Sequence, residues 1–497
     1  MTEYKFKFSI LSLPWLLMFL VSCVYATITP RLGVVERTPT KNLNAKLARA
    51  SKGRLKTFYY AQTLDHFNYR PDSYTTFQQR YMMNSKHWAG ANTSSPILVY
   101  FGAEAPIDND VENVGFLNSY APELNALIVF IEHRYYGKSM PFGSFEEAYS
   151  NTSTLGYFNS AQALADYAEV LVSLKKNLSA ESSPVIVIGG SYGGMLASWF
   201  RLKYPHIGLG ALASSAPILY FEGLTPHEQY YLIATKDYKE ASMNCYNTIR
   251  QSWSKIDKIA SKSDGLSLLS QKFKICNPIN ASSELKDQLE RMYTSAAQYD
   301  KPPIYPVKMI CDAIDVASKR TTDILSRILA GVVAFKGNKK CYDLNQIITE
   351  ADLGWRWQTC TDLVIPMGRE HDNTMFPISP FILKDLTESC QAVFGVDVTP
   401  RPHWIVTEFG GHGIKNVLKK FGSNIIFSNG LRDPYSGGGV LQNISNSVVA
   451  ILTTNGSHTL DLLTPSKDDP KWLVGMRASE ISIVKGWIAE YYAMLRS

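Results

Sequence analysis

A chain of 497 residues with 45% apolar and 19% charged side chains can bury a large core, enough for one big domain with an insertion or for two or three domains. Its formal charge of +6 sits at the amino end. Residues 27–56 hold Arg31, Arg37, Lys41, Lys46, Arg49, Lys52, Arg54 and Lys56 against Glu36, a net of +7, and residues 1–26 add +1, so about −2 remains for residues 57–497. A body so close to neutral removes the compositional support for nucleic-acid binding.

Taken in chain order, Lys5 and Lys7 precede an apolar stretch from Phe8 to Tyr25, and Val24-Tyr25-Ala26 has residues tolerated at a cleavage site. This reads as a secretory signal peptide over 1–26, and Pro14 with the short apolar core argues against an uncleaved anchor. The basic residues 27–56 show little apolar periodicity and read as a pro-segment or flexible leader. From 57 to 217, the apolar runs PILVYFG (96–102), ALIVFIEHR (126–134) and PVIVIGG (184–190) alternate with helical patterns such as NSAQALADYAEVLVSLKK (159–176). That alternation predicts a mainly parallel sheet covered on both faces. Residues 218–420 lack such strands and carry helical periodicity, as in TTDILSRILAGVVAF (321–335). The strand pattern resumes over 421–497 in SNIIFSNG (423–430) and SVVAILTTNGS (447–457), and SEISIVKGWIAEYYAML (479–495) closes the chain as a helix. A sheet that pauses for a helical insert and resumes is an α/β domain with a cap.

Cys23 lies in the signal segment, and the other six cysteines, Cys245, Cys276, Cys311, Cys341, Cys360 and Cys390, all fall in the insert. Their spacing matches no metal-ligand motif, so disulfides are expected and no metal or other cofactor; the 15 pairings that six cysteines permit stay open. N-x-S/T sites at Asn92, Asn151, Asn177, Asn280, Asn443 and Asn455 fit a glycosylated secretory protein. A glycan on Asn455 would crowd His458, so poor occupancy is expected there.

Gly189-Gly190-Ser191-Tyr192-Gly193 matches G-x-S-x-G, in which a strand turns sharply into a helix and exposes a serine hydroxyl. The pentapeptide alone would arise on the order of 0.1 to 0.2 times by chance in a chain this long. Its setting, a buried strand before and the helical MLASWFRLKYP after, is what gives it weight. A serine needs a base to take its proton and an acid to orient that base, in the chain order Ser, Asp or Glu, His. His458 is the only histidine after the last strand, and Asp433 follows the strand before it. Taken singly, His458 could be a surface histidine and Asp433 a turn former before Pro434; found together, at strand ends and in order, they form a triad with Ser191. Glu104 weighs between a cleft carboxylate and a surface one, and Met195 between pocket and core. His133 and His412 read as core or surface residues.

Four stretches, EHRYYGKSMPFG (132–143), GGSYGGMLASWFRLKYPH (189–206), SNGLRDPYSGGG (428–439) and NGSHTLDLL (455–463), together with TLDHFNY (63–69), resemble the lysosomal Pro-X carboxypeptidase family of S28 serine peptidases. The resemblance runs from about residue 57 onward. It implies an α/β-hydrolase fold with an inserted, disulfide-bonded, mainly helical cap, and a serine exopeptidase acting on peptides with proline near one end. The residues it implies are Ser191 as nucleophile, Asp433 as orienting acid and His458 as base. Tyr192 and the Ala103-Glu104 loop would supply oxyanion donors, and Met195, Ile365 and Tyr435 the substrate pocket. It further implies the pairings Cys245 with Cys311, Cys276 with Cys341 and Cys360 with Cys390; the secretory reading allows a lysosomal, vacuolar or extracellular destination, and a homodimer is one open oligomeric state.

The chain departs from the family in places. Gly102-Ala103-Glu104-Ala105 stands where GNEG is usual, Ile365 and Tyr435 where methionine and tryptophan are usual, and His458-Thr459 where a second histidine follows. His227 and Gly368 stand near the positions of a fourth bridge. Three functions from different classes are weighed: the exopeptidase, with release of a carboxyl-terminal residue after proline ahead of X-Pro removal from the amino end; a lipase or esterase with the same elbow; and an idle binding protein.

Overall fold

The computed structural model describes residues 29–33, 55–345 and 348–497; the signal segment and most of the basic leader lie outside these. One eight-stranded sheet runs in the order β1-β2-β4-β3-β5-β6-β7-β8. Its strands are β1 (Lys56–Thr63), β2 (Thr76–Asn84), β3 (Ile97–Phe101), β4 (Leu127–Ile131), β5 (Val185–Gly190), β6 (Gly210–Ser214), β7 (Ile425–Gly430) and β8 (Val448–Thr453). β1 and β2 pair antiparallel, as do β2 and β4; every pairing from β4 through β3 to β8 is parallel. The crossover from β3 to β4 and back to β5, with β2 antiparallel between β1 and β4, is the α/β-hydrolase arrangement.

Sequence pattern explains the layers. β3, β4 and β5 are apolar on both sides because both faces of a parallel sheet are covered. Ile97, Val99 and Phe101 pack on one face with Leu164, Tyr167 and Leu171 of α2 (Ser160–Asn177) and Trp199 and Phe200 of α3 (Tyr192–Lys203). Leu98 and Tyr100 turn the other way, to Phe116 and Leu117 of α1 (Phe116–Leu124) and to Ile481, Val484 and Trp487 of α11 (Lys471–Arg496). Each such side chain contributes roughly 1.5–3 kcal/mol on burial. The closing helix begins eight residues before the expected start at 479, directly after Pro470, whose ring suits a helix entry.

Between β6 and β7 the chain builds helices: α4 (Gln229–Ala241), α5 (Met243–Ala260), α6 (Ser282–Gln298), α7 (Pro306–Ser318), α8 (Ile324–Lys336), α9 (Glu350–Cys360) and α10 (Leu383–Phe394). Cys245–Cys311 joins α5 to α7, Cys360–Cys390 joins α9 to α10, and Cys276–Cys341 ties the loops flanking α6 to α8. These are the pairings that the resemblance implies. At the place of a fourth bridge, the Gly368 N–H donates to the His227 carbonyl (3.1 Å) and the His227 ring meets Glu370 (3.1 Å).

Candidate active site

Ser191 stands between β5 and α3 with φ 60° and ψ −123°, a conformation that costs a non-glycine residue strain and holds its side chain out of the turn. Glycines make the turn sterically open. A Cβ on Gly189 would lie 2.0 Å from the Gly193 carbonyl oxygen, and one on Gly194 would lie 2.8 Å from that of Ser214. The Ser191 N–H donates to Ser214 O on β6 (2.8 Å), anchoring the turn to the sheet.

Asp433 follows β7, where one carboxylate oxygen accepts the Tyr435 N–H (3.0 Å) and the other lies 2.6 Å from His458 Nδ1. His458 follows β8, and its Nε2 is 2.8 Å from Ser191 Oγ. All three side chains are buried. Burial alone would lower the His458 pKa, but the adjacent Asp433 carboxylate favours the imidazolium and the net shift is upward. The histidine's loop is itself held. The His458 N–H donates to Gln298 O (3.0 Å), and the Thr459 N–H to Ser215 Oγ (2.9 Å). Arg477 of α11 reaches the carbonyls of Leu460 and Asp461 at 2.9 and 2.7 Å.

Tyr192 opens α3, and its hydroxyl meets Gln358 Nε2 of α9 (2.9 Å), Ser160 Oγ (3.0 Å) and His133 Nε2 (3.1 Å). His133 is therefore a packed core histidine, its pKa pushed down to about 4 mainly by burial, while His412 is exposed. Ala103 and Glu104 lie after β3 beside the elbow. Gly102 is fixed by its N–H to Ile131 O and by the Tyr167 hydroxyl on its own carbonyl, each at 2.8 Å. The Glu104 side chain is buried, and its charge acts on His458, Tyr192 and Tyr435. Met195, Ile365 and Tyr435 are all buried in one apolar cluster, and the Tyr435 ring is centred 5.9 Å from that of His458. A hydroxyl, a tautomer-fixed imidazole and a helix amino terminus converging on one point can perform acyl transfer.

A family model described as "Serine carboxypeptidase S28" matches residues 62–480. The chain belongs to this family. Among its relatives, the Lysosomal Pro-X carboxypeptidase of Homo sapiens is 37% identical over 451 residues, covering 87% of this chain and 88% of that protein. That of Mus musculus is 36% identical over 500 residues, 97% and 99% of the two chains. Prolyl carboxy peptidase like protein 5 of Caenorhabditis elegans is 31% identical over 504 residues, covering 95% and 98%. Likeness to solved structures is weak: a proline iminopeptidase of Mycobacterium smegmatis gives a TM-score of 0.33 at 12% identity over 83% of this chain and 97% of that one, and adds nothing to the fold argument. As an S28 member the chain is a serine-type peptidase, and its substrates are peptides.

Sequence reasoning missed the other wall of this S28 cleft. Gln298 and Tyr299 end α6, where Gln298 O accepts the His458 N–H and the Tyr299 ring is centred 5.9 Å from that of His458; the Trp355 ring of α9 is centred 6.1 Å from that of Tyr192, and Asp352 of α9 meets Arg31. Amphipathic helix residues of this kind carry no motif. Also missed were Thr29–Gly33 of the leader: this part of a segment expected as flexible lies in the cleft, with Leu32 fully buried and its carbonyl 3.4 Å from His458 Nε2. The six N-x-S/T asparagines are exposed, Asn455 among them. No described helix is long and apolar enough to cross a membrane.

Proposed function

We propose that this S28 peptidase is an exopeptidase that releases the carboxyl-terminal residue after a penultimate proline, with Ser191, Asp433 and His458 as its catalytic triad. The single observation that carries the chemistry is the 2.8 Å contact from Ser191 Oγ to His458 Nε2. Relatives named Lysosomal Pro-X carboxypeptidase, which share more than a third of their residues with it, carry the specificity. In this reading Ser191 Oγ attacks the carbonyl carbon and its proton passes to His458 Nε2, while Asp433 holds Nδ1–H and stabilises the imidazolium. The oxyanion accepts from the Tyr192 N–H and from the Ala103-Glu104 loop, where one lost donor costs on the order of 3 kcal/mol. His458 then protonates the leaving amine, and water resolves the acyl-enzyme by the reverse path. Met195, Ile365 and Tyr435 line the pocket for the proline ring.

The domain division belongs to the same reading: a hydrolase body over 57–217 and 421–497, and a cap over 218–420 that admits only chain ends. So do glycosylation at the exposed asparagines, entry into the secretory pathway through the signal peptide, a lysosomal, vacuolar or extracellular destination, and assembly as a homodimer. One observation favours a second specificity. Glu104 and Asp352 bring carboxylates to the cleft, and a carboxylate suits a substrate's terminal amine, as removal of X-Pro from the amino end requires. Release of product from amino-blocked against carboxyl-blocked proline peptides decides it. Turnover of the amino-blocked series supports the carboxypeptidase, and turnover of only the carboxyl-blocked series overturns it.

A further inference from the structure

Five consecutive carbonyls of the leader meet the cleft. Trp355 Nε1 donates to Thr29 O (3.2 Å), the Tyr435 hydroxyl to Pro30 O, Gln298 Nε2 to Arg31 O (2.9 Å) and the Tyr299 hydroxyl to Gly33 O (2.7 Å). Between the last two, Leu32 O lies 3.4 Å from His458 Nε2. Contacts to successive main-chain oxygens read a peptide irrespective of its side chains, as a substrate groove must. Two side chains add anchors. Leu32 is fully buried in the apolar cluster that contains Met195, Ile365 and Tyr435, and the Arg31 guanidinium bonds Asp352 Oδ1 (3.2 Å) and the Glu104 carbonyl.

We infer that Thr29–Gly33 is a tethered peptide ligand of the cleft that blocks it until the leader is removed, and that Trp355, Gln298, Tyr299 and Asp352 form a subsite for a peptide main chain followed by a basic side chain. The inference rests on the reading of Ser191 and His458 as the reacting pair. The bound segment is posed as an inhibitor: the Leu32 carbonyl oxygen faces the atom that must take the Ser191 proton. Leu32 itself, fully buried, takes up apolar space beside His458. A short tether gives an effective concentration on the order of 1 mM, so a segment with a free Kd of about 10–100 µM would suppress activity about ten- to hundredfold. The basic residues from Arg37 to Lys56 offer a trypsin-like protease places to cut it free.

The test compares the rate at which a fluorophosphonate labels Ser191 in the full chain, in the full chain carrying Arg31→Ala with Leu32→Asp, and in the trypsin-processed protein. Expected is labelling at least tenfold faster in the variant and in the processed form. Equal, rapid labelling of all three overturns the inference and leaves the triad standing; no labelling of any, with folding confirmed by circular dichroism, overturns both. Because a leader variant can fold poorly, the pentapeptide Thr-Pro-Arg-Leu-Gly is also added to processed enzyme. Competitive inhibition that weakens about tenfold when arginine is replaced by alanine supports the assignment of Asp352, and no inhibition at 1 mM overturns the groove.

Discussion

In the body, Ser191, Asp433 and His458 sit at the carboxyl ends of β5, β7 and β8, and main-chain bonds to neighbouring strands and loops fix each of them. In the cap, Gln298 and Tyr299 close α6, and Asp352 and Trp355 sit on α9, which the Cys360–Cys390 disulfide ties to α10. Strand register allows a reacting atom little travel, because a slip moves a whole strand. Helix packing tolerates adjustment of an ångström or more. In the proposed function the two regions divide the work: one keeps the chemistry in line, the other reads the peptide and can vary without disturbing it.

The largest effect should come from the body. Ser191→Ala should lower kcat by about 10⁴-fold or more, and Asp433→Asn by about 10⁴-fold through the wrong His458 tautomer. Both should leave KM and the melting temperature nearly unchanged, since the bonds that shape the elbow are main-chain. Steady-state kinetics and a thermal melt check this, and a fall of many degrees in Ser191→Ala would show the side chain to be structural.

Next in size is the cap. Replacing both Cys360 and Cys390 with alanine opens a link across a sequence separation of 30, and loop entropy puts its contribution at about 3.6 kcal/mol. The α9 wall should loosen, raising KM severalfold, while fluorophosphonate still labels Ser191. Loss of labelling together with peptide binding would mean that the two regions do not separate. Tyr192→Phe probes the seam between them. Its hydroxyl joins Gln358 of the cap to Ser160 and His133 of the body, and stranding those buried partners should cost about 1–3 kcal/mol of stability, with kcat reduced less than tenfold.

The same division governs how much was legible in the sequence. The meeting of Ser191, Asp433 and His458 could be read because strand ends put side chains at fixed places relative to apolar runs: PVIVI before Ser191, SNIIFSNG before Asp433, SVVAILTT before His458. β1 and β2 escaped notice, since KTFYYAQT and TFQQRYMMN mix polar with apolar residues, β1 as an edge strand and β2 because it buries Gln79 and Arg80 on Glu132. The cleft side of the cap was illegible for a different reason. Trp355, Tyr299 and Gln298 look like ordinary packed helix residues, and only the fold brings α6 and α9 opposite the triad. Cysteine pairing was equally open to spacing arguments and came from resemblance alone. The leader misled because charge argued for solvent, whereas Arg31 finds Asp352 and Leu32 is buried beside His458.

Acid tolerance is the smallest expected effect, and both regions contribute to it. Burial raises the pKa of Asp110 in the body to about 8, and in the cap raises Asp237 to about 8 and Asp362 to about 6. Burial likewise raises Asp461 and Glu480, whose carboxyls share hydrogen bonds with Ser214 and Ser428 beneath the triad loop. A buried acid with a raised pKa keeps its proton when the unfolded chain has lost it, so stability falls as pH rises from the ordinary carboxylate value to the folded one. For Asp110 and Asp237 that window runs from about 4 to about 8, and for Asp362 from about 4 to about 6. The raised His458 acts in the same direction, its contribution being present below the ordinary histidine value and lost as pH rises through the folded one. His133, pushed down to about 4, opposes them below about pH 6.5, where the unfolded chain would protonate it. The carboxyls outnumber it, so the melting temperature should be higher at pH 5 than at pH 8. Asp362→Asn keeps an acceptor for the Ser160 N–H and hydroxyl and removes one titrating group. It should flatten the slope of stability between pH 4 and 6 by up to one proton, about 1.4 kcal/mol per pH unit, and leave the slope between pH 7 and 8 unchanged. Denaturant titrations at half-unit intervals measure both slopes, and an unchanged slope below pH 6 in Asp362→Asn would exclude Asp362 from the acid response.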